Sequence, residues 1–222
     1  MTWMEWFEDV VMRLFVFALL GFNTVLYLRG ASVVFKSFLL FLVIGELAGI
    51  SMIIAQQETG NKDLAWEIRY IYGFFDTVYL LWLAAYTGNY RNRKKLSVIL
   101  PSIAGGVWLF FLILHYTGVM EFKVGLLESS MGMVLSIALG FALLSRVEVP
   151  EEINPFLNPV NLLLTSQLIY VFSTITIFGI AGTEIRDRYY FIHQAVHILR
   201  DIVILAAMTL EYRRLNRTEF KA

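Results

Sequence analysis

The sequence predicts an all-α polytopic integral membrane protein: one domain over residues 1–222, seven transmembrane helices, N-terminus outside and C-terminus inside. Three observations predict it. Hydrophobic residues make up 58% of the chain and charged residues 16%, against about 45–50% and about a quarter in soluble domains. Seven segments each hold the roughly 20 mostly apolar residues that a span needs. Lys and Arg collect on one side of that seven-span layout.

The first segment, 10–28, follows an amphipathic stub whose Trp3 and Trp6 suit a membrane interface. The opening MTWMEWFEDV is acidic and no small-residue cleavage site follows, so this segment is expected to stay as a membrane helix. The others are 32–56, 65–87, 96–117, 121–145, 159–182 and 189–212. Turn residues fall between them, at Gly30, Gly60-Asn61, Gly88-Asn89, Gly118 and Gly182-Thr183. The connection RVEVPEEINPFLNP holds three of the four prolines and cannot be helical throughout, so an ordered loop is expected.

Orientation follows from the cations near helix ends. With the N-terminus outside, the inner side carries Arg29, Lys36, Arg91, Arg93, Lys94, Lys95, Arg146, Arg213, Arg214, Arg217 and Lys221. The outer side carries Lys62, Lys123, Arg186 and Arg188. The expected location is the cell (plasma) membrane. Net charge is zero, which gives no electrostatic reason to expect nucleic acid as a partner. Cysteine is absent, which excludes disulfides, thiolate metal sites and cysteine nucleophiles. No Walker loop, Gly-x-Ser-x-Gly elbow or Asp-rich diphosphate motif is present.

The chemistry lies in polar residues placed where lipid is expected. In YYFIHQAVHILRD the residues His193, His197, Arg200 and Asp201 fall within roughly 100° of arc on one helical face. Glu211 returns to that stripe. In the third segment Arg69, Tyr72, Asp76 and Tyr79 share a face, and Glu67 points away. Glu46 sits in Gly45-Glu46-Leu47-Ala48-Gly49, whose small-residue spacing permits close helix approach. Glu128 lies in the outer half of the fifth segment, and the sixth offers Ser166, Gln167 and Tyr170 among its polar residues. Depth bookkeeping brings Glu46, Asp76, Arg200 and Asp201 to similar levels. Arg200 is expected to pair with Asp76, Glu46 or Asp201, because an isolated charge at that depth is costly.

His193-x-x-x-His197 has a spacing that can hold Zn²⁺, with a third ligand to come from Glu67, Asp76, Glu128 or His115. On those two histidines the last segment resembles the zinc-dependent membrane hydrolases that include alkaline ceramidases and adiponectin-type receptors. That resemblance implies a zinc hydrolase, and it implies a Ser-x-x-x-His pattern in the second span. Here Ser51 is followed by Met52, Ile53, Ile54 and Ala55, and no histidine precedes His115. Seven helices with the N-terminus outside resemble microbial rhodopsins and prokaryotic seven-helix sensor modules, and Arg69-Tyr70 with Asp76-Thr77 is similar to the rhodopsin third helix. The last segment has no lysine between Tyr189 and Tyr212, which excludes covalent retinal there.

The leading expectation is a receptor-like, non-enzymatic module that binds or senses a small apolar or amphiphilic ligand and needs no cofactor. Glu46, Arg69, Tyr72, Asp76, Tyr170, His193, His197, Arg200 and Asp201 form its polar network. The tail after Tyr212 is too short for an output domain, so output is expected through a protein partner on the inner face. The alternatives are a proton or ion translocator using Glu46, Asp76, His197 and Asp201, a zinc hydrolase through His193 and His197, and a structural subunit of a membrane complex.

Overall fold

A computed structural model describes residues 3–55, 60–118, 124–147, 157–179 and 186–219. The ordered-loop expectation for 148–156 and the turn at Gly182-Thr183 lie outside these residues. The described residues form seven helices and no strand: α1 Trp3–Leu28, α2 Val33–Ile53, α3 Lys62–Thr87, α4 Arg93–Tyr116, α5 Val124–Val147, α6 Pro159–Gly179 and α7 Arg186–Glu219. The stub at Trp3 and Trp6 is continuous with α1. The last helix extends beyond 189–212 at both ends. At 34 residues it measures about 51 Å, well over the roughly 30 Å hydrocarbon core of a bilayer.

Among the described residues four helices are long and apolar enough to cross a membrane, through Val33–Ile53, Arg93–Tyr116, Ser130–Val147 and Pro159–Thr176, and α1 contributes the shorter described apolar stretch Arg13–Leu28. The helices α3 and α7 carry more charge: Lys62, Asp63, Glu67, Arg69 and Asp76 on α3, and Arg200, Asp201 and Glu211 among others on α7. Large apolar side chains face outward around the bundle, including Phe17, Leu28, Leu40, Leu47, Ile103 and Phe141. Water would not tolerate so much exposed apolar surface on a monomer, whereas lipid does.

The helix ends have local causes. Gly30 (φ 76°) and Gly118 (φ 69°) take left-handed conformations where α1 and α4 stop. Asn61 caps α3, its side chain accepting the Leu64 N–H at 3.0 Å. Asn158 does the same for α6, accepting from Val160 N at 2.9 Å and Asn161 N at 3.3 Å, with Pro159 at the first helical position.

Contacts run from α1 to α2, α2 to α3, α3 to α5, α5 to α6, α6 to α7 and back to α1. Six helices therefore close a ring, and α4 packs chiefly on α3. Small residues set the close approaches: a Cβ at Gly132 of α5 would lie 2.5 Å from Ile175 Cγ1 of α6.

Burial is uneven along the bundle. The tightly packed part lies toward the end that holds the 29–32 turn, Arg91–Lys95 and Arg146, here termed the basic end. The buried residues of α2 are Val34, Phe35, Phe38 and Phe41, and from Leu42 to Ile54 none is buried. Burial on α7 begins at Asp201 and continues through Ile204, Ala207, Met208 and Glu211, with none among the described side chains before it. Toward the other end, a small cluster of Tyr70, Trp108 and Leu127 ties α3, α4 and α5 together, while the α2 and α7 side stays loose.

Candidate functional site

The polar side chains on α7 meet the bundle where the packed half gives way to the looser one. Asp201 is fully buried, and its neighbour Arg200 curls back to it. Arg200 Nε donates to Asp201 Oδ1 at 2.8 Å, and Nη2 lies 2.6 Å from the same oxygen. Adjacent helical residues point about 100° apart and do not ordinarily face each other. The Arg200 side chain bends around the helix to make this pair, and it remains 18% exposed. Its guanidinium lies 5.2 Å from the centroid of the Tyr170 ring on α6, a cation–π arrangement. His197 meets the same ring edge-on at 5.5 Å.

Two more helices reach this point. Glu46 of α2 lies within electrostatic range of Arg200, Asp201 and Arg13 of α1. Tyr72 of α3 lies within range of Tyr170, Asp76, Arg200 and Glu46. Gly45 makes room for it: a Cβ there would sit 3.2 Å from the Tyr72 hydroxyl. The lack of a side chain at Gly45 thus lets α2 bring Glu46 against α3. From the cluster toward the basic end the α3 side is aromatic, with Tyr79 stacked on Phe41 at 4.4 Å and Trp82 stacked on Tyr86 at 5.0 Å.

Of the residues expected from the sequence, Glu46, Tyr72, Asp76, Tyr170, His197, Arg200 and Asp201 come together from α2, α3, α6 and α7. Arg200 takes Asp201 rather than Asp76 or Glu46. Arg69 is placed apart, with its guanidinium 5.9 Å from the Trp66 ring on its own helix. The side chains of His193 and Glu128 lie outside the described residues. Glu67 is exposed. His115 rests on Tyr70 at 5.4 Å in the α3–α4 contact, whereas His197 belongs to the α6–α7 contact. Among the described residues no group of three or more His, Asp and Glu side chains is placed to hold a metal ion. The recess lined by Tyr70, Trp108, Phe111, Leu112, His115 and Leu127 leaves no room for a water-sized molecule.

Other polar contacts emerge only in three dimensions. Arg13 joins the cluster from α1. A cation inside the first apolar segment is the signal the sequence carries for it. At the basic end Glu211 is buried and its Oε1 accepts from Ser32 N at 3.1 Å and from Arg214 Nη2 at 2.7 Å. Arg29 Nη1 donates to Asn216 Oδ1 at 2.7 Å and its guanidinium covers the Tyr212 ring at 4.8 Å. Opposite, Arg146 Nε donates to Asn161 Oδ1 at 2.5 Å and its Nη1 to Thr87 O at 3.0 Å, so a cation of α5 caps the C-terminus of α3. Asn23, with its amide oriented to satisfy both groups, donates to Phe35 O at 3.1 Å and accepts from Leu39 N at 3.0 Å, stitching α1 to α2.

The chain matches no family model, no curated protein and no solved structure. The functional reading therefore rests on the cluster itself.

Proposed function

We propose that this chain is a seven-helix membrane module, N-terminus outside and C-terminus inside as in rhodopsin-like topologies, that binds or senses a small apolar or amphiphilic ligand. One observation carries the reading: a buried ion pair, Arg200–Asp201, with Glu46, Tyr72 and Tyr170 around it, at the boundary between a close-packed half and a looser half. A packing network would sit within the tight half. This one sits at its edge, where the polar head of a ligand could meet it and an apolar tail could lie among the outer helix halves. Ionisable groups at membrane depth mark a site by default, and aromatic walls suit an apolar guest. Output would pass to a protein partner at the basic end. The reading needs no metal or cofactor.

The test is ligand screening by thermal shift on protein in lipid nanodiscs. A ligand that stabilises wild type and loses that effect in Arg200→Leu/Asp201→Leu supports the reading. Screens that stabilise both proteins equally refute it. Topology is tested beside it. The chain has no cysteine, so single cysteines at Lys94 and Asn61 report side directly. Impermeant maleimide should label Asn61→Cys from outside the cell and spare Lys94→Cys.

A second reading has an observation of its own. Glu46 and Asp201 lie within electrostatic range of each other, and Asp76 within range of Tyr72, so α2, α3 and α7 each bring a carboxylate to one region. A proton or ion translocator would use such a relay. It requires pH-dependent flux in proteoliposomes that Asp76→Asn abolishes.

A further inference from the structure

We propose that the ligand of this site carries a protonated amine on an apolar tail, and that Asp201 Oδ2 is the acceptor for the ammonium. The proposal rests on the ligand-binding reading above and names the ligand's head group.

The first observation is the unused oxygen. Asp201 Oδ1 takes both contacts from Arg200. Asp201 Oδ2 is buried and makes no hydrogen bond. A guanidinium and a carboxylate ordinarily pair through two parallel bonds. Here the fork is not used, and a buried carboxylate oxygen is left without the donor it needs. The missing partner is a donor, not an acceptor, which disfavours a carboxylate or phosphate head.

The second observation is the charge balance. Glu46, Asp76 and Asp201 contribute three carboxylates, while Arg200 and Arg13 contribute two guanidiniums, the latter exposed. Among the described residues of this set an added positive charge moves toward balance and an added negative charge away from it, at a depth where net charge is costly. The third is the surroundings. The Tyr72 and Tyr170 rings border the pair, and aromatic faces attract a desolvated cation.

Arg200 is the more exposed partner of the pair, so it is the side chain that can move. Glu46 is within its electrostatic range and offers a second carboxylate. An ammonium docking on Asp201 Oδ2 would let Arg200 swing toward Glu46, exchanging one ion pair for two. The tail would lie along the less buried parts of α2 beyond Phe41 and of α7 from Gln194 to Arg200.

The experiment uses the full chain in phosphatidylcholine nanodiscs and four probes with one tail: dodecylammonium, dodecyltrimethylammonium, dodecanol and dodecanoate, each below its micelle concentration. Binding is read by thermal shift and by calorimetry. The expected result is that dodecylammonium binds wild type at least about tenfold tighter than the other three, and that Asp201→Asn removes the preference. The quaternary probe matters because it has the charge and no N–H to donate. If dodecanoate or dodecanol binds best, and Arg200→Ala abolishes that binding, the amine inference is overturned while the ligand-binding reading stands. If all four merely partition alike into protein-bearing and empty nanodiscs, both fall. The head-group ranking is measured on wild type, so it decides the question even if Asp201→Asn fails to fold.

Discussion

Glu211 of α7 accepts the backbone N–H of Ser32, the residue that precedes α2, at 3.1 Å. The carboxylate is buried, and it sits where the first orphan N–H groups of α2 and the positive end of its dipole converge. It also lies on the stripe of α7 that carries Asp201, Ile204 and Met208, all fully or almost fully buried. One continuous helix thus joins the mid-bundle ion pair to the α1–α2 turn. Arg29 strengthens the junction through Asn216 and Tyr212. A shift of α7 at Asp201 would be felt at that turn.

Removing the Glu211 carboxylate should loosen this junction. Glu211→Ala leaves the Ser32 N–H without its acceptor, at a cost of about 1–3 kcal/mol. Glu211→Gln keeps an acceptor oxygen and should lose less. Unfolding in mixed micelles orders the variants wild type, then Gln, then Ala. An Ala variant as stable as wild type would show that the contact does not hold the turn.

How much of this was legible in the sequence follows from what each feature depends on. Helix positions depend on local pattern, and the seven expected segments overlap the seven helices. Depth and periodicity put Glu46, Asp76, Arg200 and Asp201 at similar levels, but do not fix the helix rotations that decide which faces meet. Arg69 shares a face with Tyr72 in the sequence, but the spacing did not reveal its approach to the Trp66 ring. The Ser32–Glu211 and Thr87–Arg146 contacts join a side chain to the backbone of a distant helix. No spacing rule encodes such a pairing, since any helix end presents the same groups. The packing of α4 on α3 outside the ring was equally hidden, because hydropathy does not say which neighbour a span will meet.

Gly132 and Ile175 should behave as one unit. A Cβ at Gly132 would lie 2.5 Å from Ile175 Cγ1, an inner atom of that side chain that cannot step aside freely. Gly132→Ala should cost about 1–3 kcal/mol through overpacking. In Gly132→Ala/Ile175→Ala the clash is gone, so the double variant should lose less than the sum of the two single losses. Additive losses would mean that α5 and α6 do not approach each other at this point.

Alkaline pH should act through Tyr90, in the turn between α3 and α4. Burial holds its hydroxyl above the ordinary value of 10.0, against an opposing contact with Ser145. The folded state therefore favours the neutral phenol. That contribution is complete below pH 10.0 and disappears as pH rises through the raised folded value. Stability of wild type should fall above pH 10.0 more steeply than that of Tyr90→Phe. Gly88→Ala should mimic the loss at every pH, because a Cβ at Gly88 would strike the Tyr90 ring. Parallel pH profiles for wild type and Tyr90→Phe would remove Tyr90 from the account.

The Arg200–Asp201 pair separates a site from a brace by its own double-mutant cycle. Asp201→Leu leaves a guanidinium without its partner, and Arg200→Leu leaves a buried carboxylate without its donors. Breaking a buried pair from one side costs about 3–5 kcal/mol, whereas replacing both partners with apolar residues is often close to neutral. Arg200→Leu/Asp201→Leu should accordingly recover most of the stability lost by either single variant, because the membrane interior accepts leucine readily. The recovered protein should nevertheless bind none of the amphiphiles that stabilise wild type. A double variant that is stable and still binds would place the ligand elsewhere. One that is as unstable as the singles would show that Glu46, Tyr72 and Tyr170 need the pair in order to pack, and the polar cluster would then be a brace.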